Sequence, residues 1–162
     1  MDLSREIPRT SVHESELLPP VARHFESLGW RTAPEVAVAG RRADLVAYSD
    51  EDVLAVELKV VRWRHALRQA IAYQVWATLA YVALPFPRAM AACRHRDGFE
   101  AEGVGLLAVL DGQVRTLLAA APSPRLFPSL TDHVRRQLSR NAVPLDAFPP
   151  ATGERFYGEC RM

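Results

Sequence analysis

Apolar and polar positions follow two periods along this chain, and glycine or proline marks most changes from one to the other. Residues 52–60, Asp52-Val53-Leu54-Ala55-Val56-Glu57-Leu58-Lys59-Val60, are short and rich in Val and Leu, and they follow the turn-like Ser49-Asp50-Glu51-Asp52. This run predicts a strand. Residues 41–48 predict a second strand joined to it by that acidic turn, which makes an antiparallel hairpin the economical pairing. A shorter strand is predicted over residues 35–38.

Upstream, a first helix is predicted through residues 22–28, ending at Gly29. Pro19 and Pro20 limit its upstream reach, so that Glu16 falls in its first turn or in a separate preceding turn. Downstream, residues 63–80 read as a long helix whose Ala66, Ala70, Ala77 and Ala80 permit close packing on a sheet. Residues 81–84 form a strand stopped by Pro85 and Pro87, a helix covers residues 90–96, and a strand covers residues 103–110. Asp111-Gly112 then turns the chain into a strand over residues 113–118. The element order is α-β-β-β-α-β-α-β-β, without internal repeats.

Composition narrows the class. With 162 residues, 49% hydrophobic and 24% charged, the chain is that of one folded domain and not a disordered segment. Residues 1–11 are expected to be a flexible tail, residues 12–121 the core, and residues 122–162 a Pro-rich extension with one basic helix packed on the same domain. No apolar run is long enough to span a bilayer, and the first residues lack the basic-then-apolar order of a signal peptide, so the expected location is cytoplasmic with no membrane partner. Cys93 and Cys160 are far apart and have no further ligands at metal spacing, so both read as free thiols.

Lys59 is the only lysine, whereas the other basic residues among the 20 Lys and Arg are arginine. A compact ammonium at one position in a chain that otherwise uses the forked guanidinium points to a chemical role. Strand alternation puts Glu57 and Lys59 on one side with Ala55, and the predicted hairpin brings Asp44 beside Glu57. Two converging carboxylates are costly unless a cation lies between them, and hard oxygen donors beside an ammonium suit Mg²⁺ or Mn²⁺ better than zinc. Such a centre can polarise a phosphoryl oxygen while the lysine orients the attacking water. The chemistry indicated is phosphodiester hydrolysis.

The ordered set Gly40-Arg41-Arg42-Ala43-Asp44, then Glu57-Leu58-Lys59, then Gln69-Ala70-Ile71-Ala72-Tyr73 resembles the PD-(D/E)XK nuclease superfamily, with Ala43 where the nominal pattern has proline. The resemblance covers about the first half of the chain. It implies an α/β, restriction-endonuclease-like fold with a mixed central sheet flanked by helices. It also implies metal ligation by Asp44 and Glu57, Lys59 serving the nucleophilic water, and Gln69 and Tyr73 lining the cleft as in the exonuclease-like branch. An acid on the first helix that reaches the metal is expected from the family, with Glu16 ahead of Glu14.

Arg41, Arg42, Arg62, Arg64 and Arg68 flank the expected centre, with Trp63 among them, and suit contacts to a nucleic-acid backbone. A net charge of +1 makes this a local patch and not a generally basic surface. A second arginine group, Arg135, Arg136 and Arg140, lies on the predicted helix over residues 130–140, where phosphate contact and a solvated face are both open readings. The expected function is a Mg²⁺- or Mn²⁺-dependent nuclease acting on DNA. The alternatives are a non-catalytic nucleic-acid- or protein-binding module on the same fold, or an accessory subunit of a defence or repair system. The small size leaves little material for reading base sequence, so a partner specificity subunit or a homodimer is an expected source of that surface.

Overall fold

The computed structural model describes residues 12–141. Its elements are α1 (Glu14–Ser27), β1 (Arg31–Val38), β2 (Arg41–Tyr48), β3 (Val53–Leu58), α2 (Trp63–Tyr73), β4 (Leu79–Pro85), α3 (Phe86–Cys93), α4 (Arg96–Glu102), β5 (Gly105–Leu110), β6 (Gln113–Leu118) and α5 (Pro128–Arg140). The strands form one sheet in the order β1-β2-β3-β4-β5-β6. β1, β2 and β3 are antiparallel, β3, β4 and β5 are parallel, and β6 turns back against β5. The architecture is α/β, a mixed sheet flanked by helices.

Helices cover both faces because the central strands are apolar on both. β3 is buried along its whole length, and its residues alternate between two cores. Leu54, Val56 and Leu58 pack with Leu17, Val21 and Phe25 of α1. Val53 and Ala55 pack with Tyr73 at the end of α2, with Trp76 and Ala77 just beyond it, and with Val134 and Leu138 of α5. Farther along that second face, Ala66 and Ala70 of α2 join Ala89 and Ala92 of α3 and Phe99 of α4. The alanines let the α2 backbone approach the sheet closely.

Two hairpins rest on turns that need positive φ. Ala39 and Gly40 have φ of 51° and 76°, and Asp111 and Gly112 have φ of 50° and 72°. Each pair links directly registered strand ends, Val38↔Arg41 and Leu110↔Gln113, as a two-residue turn with both φ positive requires. Gly105 is fixed by packing instead, since a Cβ there would stand 2.2 Å from Cε1 of Tyr81.

Several boundaries differ from expectation. α1 runs through Pro19 and Pro20, which lie in its interior and sacrifice two helical N–H donors, and the helix is held by burial of Leu17, Pro20, Val21 and Phe25. β1 starts at Arg31, earlier than expected. α2 ends at Tyr73, so Ala77 lies past the helix and Ala80 belongs to β4. The stretch after β4 holds two helices where one was expected over residues 90–96, because Pro87 occupies the first turn of α3, where its missing N–H costs nothing. Cys93 is disulfide-bonded and not a free thiol. The predicted tail over residues 1–11, Cys160 and most of the Pro-rich extension lie outside the described residues.

Candidate metal centre

The β2–β3 ladder runs from Tyr48↔Val53 to Leu45↔Val56 and stops there. One step further would set Asp44 opposite Glu57, and at that step the strands part. The Asp44 side chain fills the gap: its Oδ2 accepts a hydrogen bond from the backbone N–H of Leu58 at 2.8 Å, in place of a partner-strand carbonyl. On its other edge β3 stays paired with β4 through Leu58↔Ala83, and the N–H of Lys59 donates to the carbonyl of Ala83 at 3.1 Å. A strand held on one side and released on the other therefore presents Asp44, Glu57 and Lys59 together.

Glu57 is 3% exposed, and its Oε2 lies 2.6 Å from the Tyr73 hydroxyl. That hydroxyl is also 2.9 Å from the carbonyl oxygen of Arg42. The single hydroxyl hydrogen is therefore shared between two acceptors, the Glu57 carboxylate and the Arg42 carbonyl. Burial, reinforced by the negative charges of Asp44 and Glu14, pushes the Glu57 carboxyl up to about 7, against the hydrogen bond from Tyr73 and the charge of Lys59. Burial also raises Asp44, with Glu14 and Glu35 adding to it and the Leu58 hydrogen bond and Lys59 opposing it. Tyr73 is raised by burial and then by its bond to Glu57, which keeps it a neutral phenol.

Each carboxylate thus has one oxygen held by a fixed donor. Among the described residues the only buried side-chain polar atom lacking a hydrogen-bond partner is Oε1 of Gln69. Among the described residues Oδ1 of Asp44 and Oε1 of Glu57 have no hydrogen-bond partner, and since neither is a fully buried orphan, both touch solvent-accessible space. Among the described residues no three His, Cys, Asp or Glu side chains make a ready-built cage. Two carboxylates with one outward oxygen each fit a cation such as Mg²⁺, which keeps several waters and takes few protein ligands. The orphaned Oε1 of Gln69, one helical turn before Tyr73 on α2, fits a site whose polar complement includes something other than protein.

Of the α1 acids, Glu14 meets the cluster. Its Oε1 lies 3.4 Å from Nζ of Lys59, and its charge acts on Asp44 and Glu57. Glu16 is exposed and has no ion pair among the described residues. Glu35 was absent from the expected set. It stands between the registered pairs Pro34↔Leu45 and Val36↔Ala43, which places it opposite Asp44, with a backbone φ of 51°. Counting back from the Ala39-Gly40 turn would have found it.

The expected arginines lie on two elements. Arg41 and Arg42 are exposed at the start of β2, and the Arg41 charge acts on Tyr73. Arg62, Arg64 and Arg68 are exposed at and beyond the start of α2, with the Arg64 guanidinium 4.3 Å above the Trp63 ring. Trp63 itself stacks with His95 and Phe99, at 5.1 and 5.6 Å between ring centroids. The chain matches no protein-family model, and no curated protein matches it.

Proposed function

We propose that the chain is a metal-dependent nuclease of the PD-(D/E)XK type, with a restriction-endonuclease-like fold, hydrolysing phosphodiester bonds in DNA. The observation that carries this reading is the parting of β2 and β3, where Asp44 and Glu57 each commit one oxygen to a fixed donor and turn the other outward beside the sole lysine. Asp44 and Glu57 would hold Mg²⁺ or Mn²⁺, and the bound ion would supply a Lewis acid for the phosphoryl oxygen and lower the pKa of a water.

The chain's own groups divide the remaining work. The N–H of Leu58 and the hydroxyl of Tyr73 lock the two carboxylates in orientation. Lys59, steadied by Glu14, offers its ammonium to the attacking water and to charge growing on the phosphoryl oxygens. Arg41 and Arg42 on the hairpin, with Arg62, Arg64 and Arg68 around the start of α2, grip flanking phosphates. Gln69 supplies a carbonyl oxygen for a donor on substrate or solvent.

The test is incubation of the purified protein with linear, circular, single-stranded and junction DNAs in Mn²⁺ and in EDTA, beside Lys59→Ala and Asp44→Ala. Cleavage that needs metal and drops at least about 10²-fold in both folded variants is expected. Undiminished activity in either variant would sink the assignment. The second reading, a non-catalytic nucleic-acid-binding module, is favoured by the ion pair that already occupies Lys59. DNA binding without cutting and without Mn²⁺ uptake would select it.

A further inference from the structure

At the far end of β2 from the carboxylates, the β2–β3 turn and the C-terminal half of α5 enclose a surface depression of about 380 Å³ lined by Asp50, Arg135, Arg136, Ser139 and Arg140. The three arginines do different things. Arg135 is structural: its Nη1 donates to the backbone carbonyls of Asp50 and Glu51 at 2.6 and 3.3 Å, and its Nη2 meets Asp132 at 2.7 Å. Arg136 and Arg140 have no ion pair or hydrogen bond among the described residues. The carboxylate in the depression, Asp50, is already engaged by Arg31 at 2.9 Å.

Arg136 and Arg140 are one helical turn apart, a like-charge spacing that disfavours the helix unless an anion lies between them. Two adjacent guanidinium forks with a serine hydroxyl beside them match the oxygens of a phosphate group. We propose that this depression binds a phosphate of the polynucleotide backbone, as a second contact remote from the carboxylate pair. The choice of ligand rests on the nuclease reading given above. Asp50 lies six positions after Asp44 along the hairpin, roughly 20 Å of extended chain. At 3.4 Å per step, a strand must run about six nucleotides past the reaction centre before this contact is available.

That length dependence supplies the test. Binding of a duplex of about 30 base pairs and of a hairpin duplex of about six base pairs is measured in EDTA, across a salt series, for the wild type and the Arg136→Gln/Arg140→Gln protein, with thermal unfolding as the folding control. Both positions are exposed, and Arg135 is left in place to hold the turn. The double variant should bind the long duplex about ten-fold or more weakly, with the salt slope reduced by about two, while the short duplex is unaffected. An Arg136→Lys/Arg140→Lys protein should recover the salt slope but only part of the affinity. Equal affinity and slope for the long duplex, an equal loss for both duplexes, or no wild-type binding to either would overturn the proposal. So would saturation of the Ser139 and Arg140 amide signals by inorganic phosphate that long DNA fails to displace, since the ligand would then be a free phosphate compound. Because every binding arm lacks metal, failure of cleavage alone would count against the nuclease reading and leave this contact standing.

Discussion

The two ends of the β2–β3 hairpin solve opposite problems. At the turn, polar groups are paired with one another: the Ser49 hydroxyl accepts from the N–H groups of Glu51 and Asp52, the N–H of Ser49 reaches the carbonyl of Asp52, and Arg135 takes the carbonyls of Asp50 and Glu51. At the other end the ladder stops, three acids come level with one another or nearly so, and the carboxylates of Asp44 and Glu57 are buried far enough to hold protons more tightly than usual. One end is built for stability. The other holds like charges together, at a cost that Lys59 and the hydrogen bonds from Leu58 and Tyr73 offset only in part.

The contrast can be tested first through pH. Folded Glu57 keeps its proton up to about pH 7, whereas the unfolded chain gives it up near the ordinary value of 4.5. Between those limits the folded state binds more protons, so stability should fall as pH rises, by up to about 3 kcal/mol, and Asp44 should add to the fall. Chemical denaturation from pH 4.5 to 8 should show this decline, Glu57→Gln should flatten most of it, and Mn²⁺ should restore stability at pH 8 in the wild type alone. A wild-type profile that stays level across that range would refute the buried-acid account.

A smaller effect is expected at the turn. Arg135→Ala removes the donors to two backbone carbonyls and should cost about 1–2 kcal/mol. Mn²⁺ affinity and cleavage should stay within about two-fold of wild type, because the two ends are separated by the length of the hairpin. A large fall in metal affinity would show that the ends are coupled.

Smallest in stability is Tyr73→Phe, about 1 kcal/mol for the lost hydroxyl contacts. Its sharper consequence is electrostatic. The Tyr73 hydrogen bond is the chief influence drawing the Glu57 carboxyl down, so its removal should move that ionisation upward. Calorimetric titration should find Mn²⁺ binding weakened near neutral pH and recovered at higher pH. Equal weakening at every pH would mean that Tyr73 acts by shape alone.

What was legible in the sequence was whatever local chemistry dictates. The Asp111-Gly112 turn, the acidic turn at residues 49–52 and the apolar run through β3 each named their element, and the hairpin they imply brought Asp44 to Glu57. Three features were not legible. Pro19 and Pro20 suggested a later start for α1, because the tertiary burial that carries a helix through them is absent from a local reading. Glu14 and Glu16, two apart on that helix, face opposite ways, and only Glu14 pairs with Lys59. The disulfide at Cys93 depends on long-range proximity that spacing cannot reveal. Glu35 was hidden by its place before a turn whose two-residue form had not been used to count the register.

Glu35 also bears on the outer border of the sheet. β1 is one outer edge of the sheet, and an outer strand normally offers a row of N–H and C=O groups on which another chain can zip. Here Pro34 has no N–H to offer, and the next residue turns its backbone into the left-handed region while carrying an exposed negative charge. The row is broken in the middle of the strand. A kink that sets an acid level with Asp44 therefore also protects this border of the sheet against edge-to-edge aggregation.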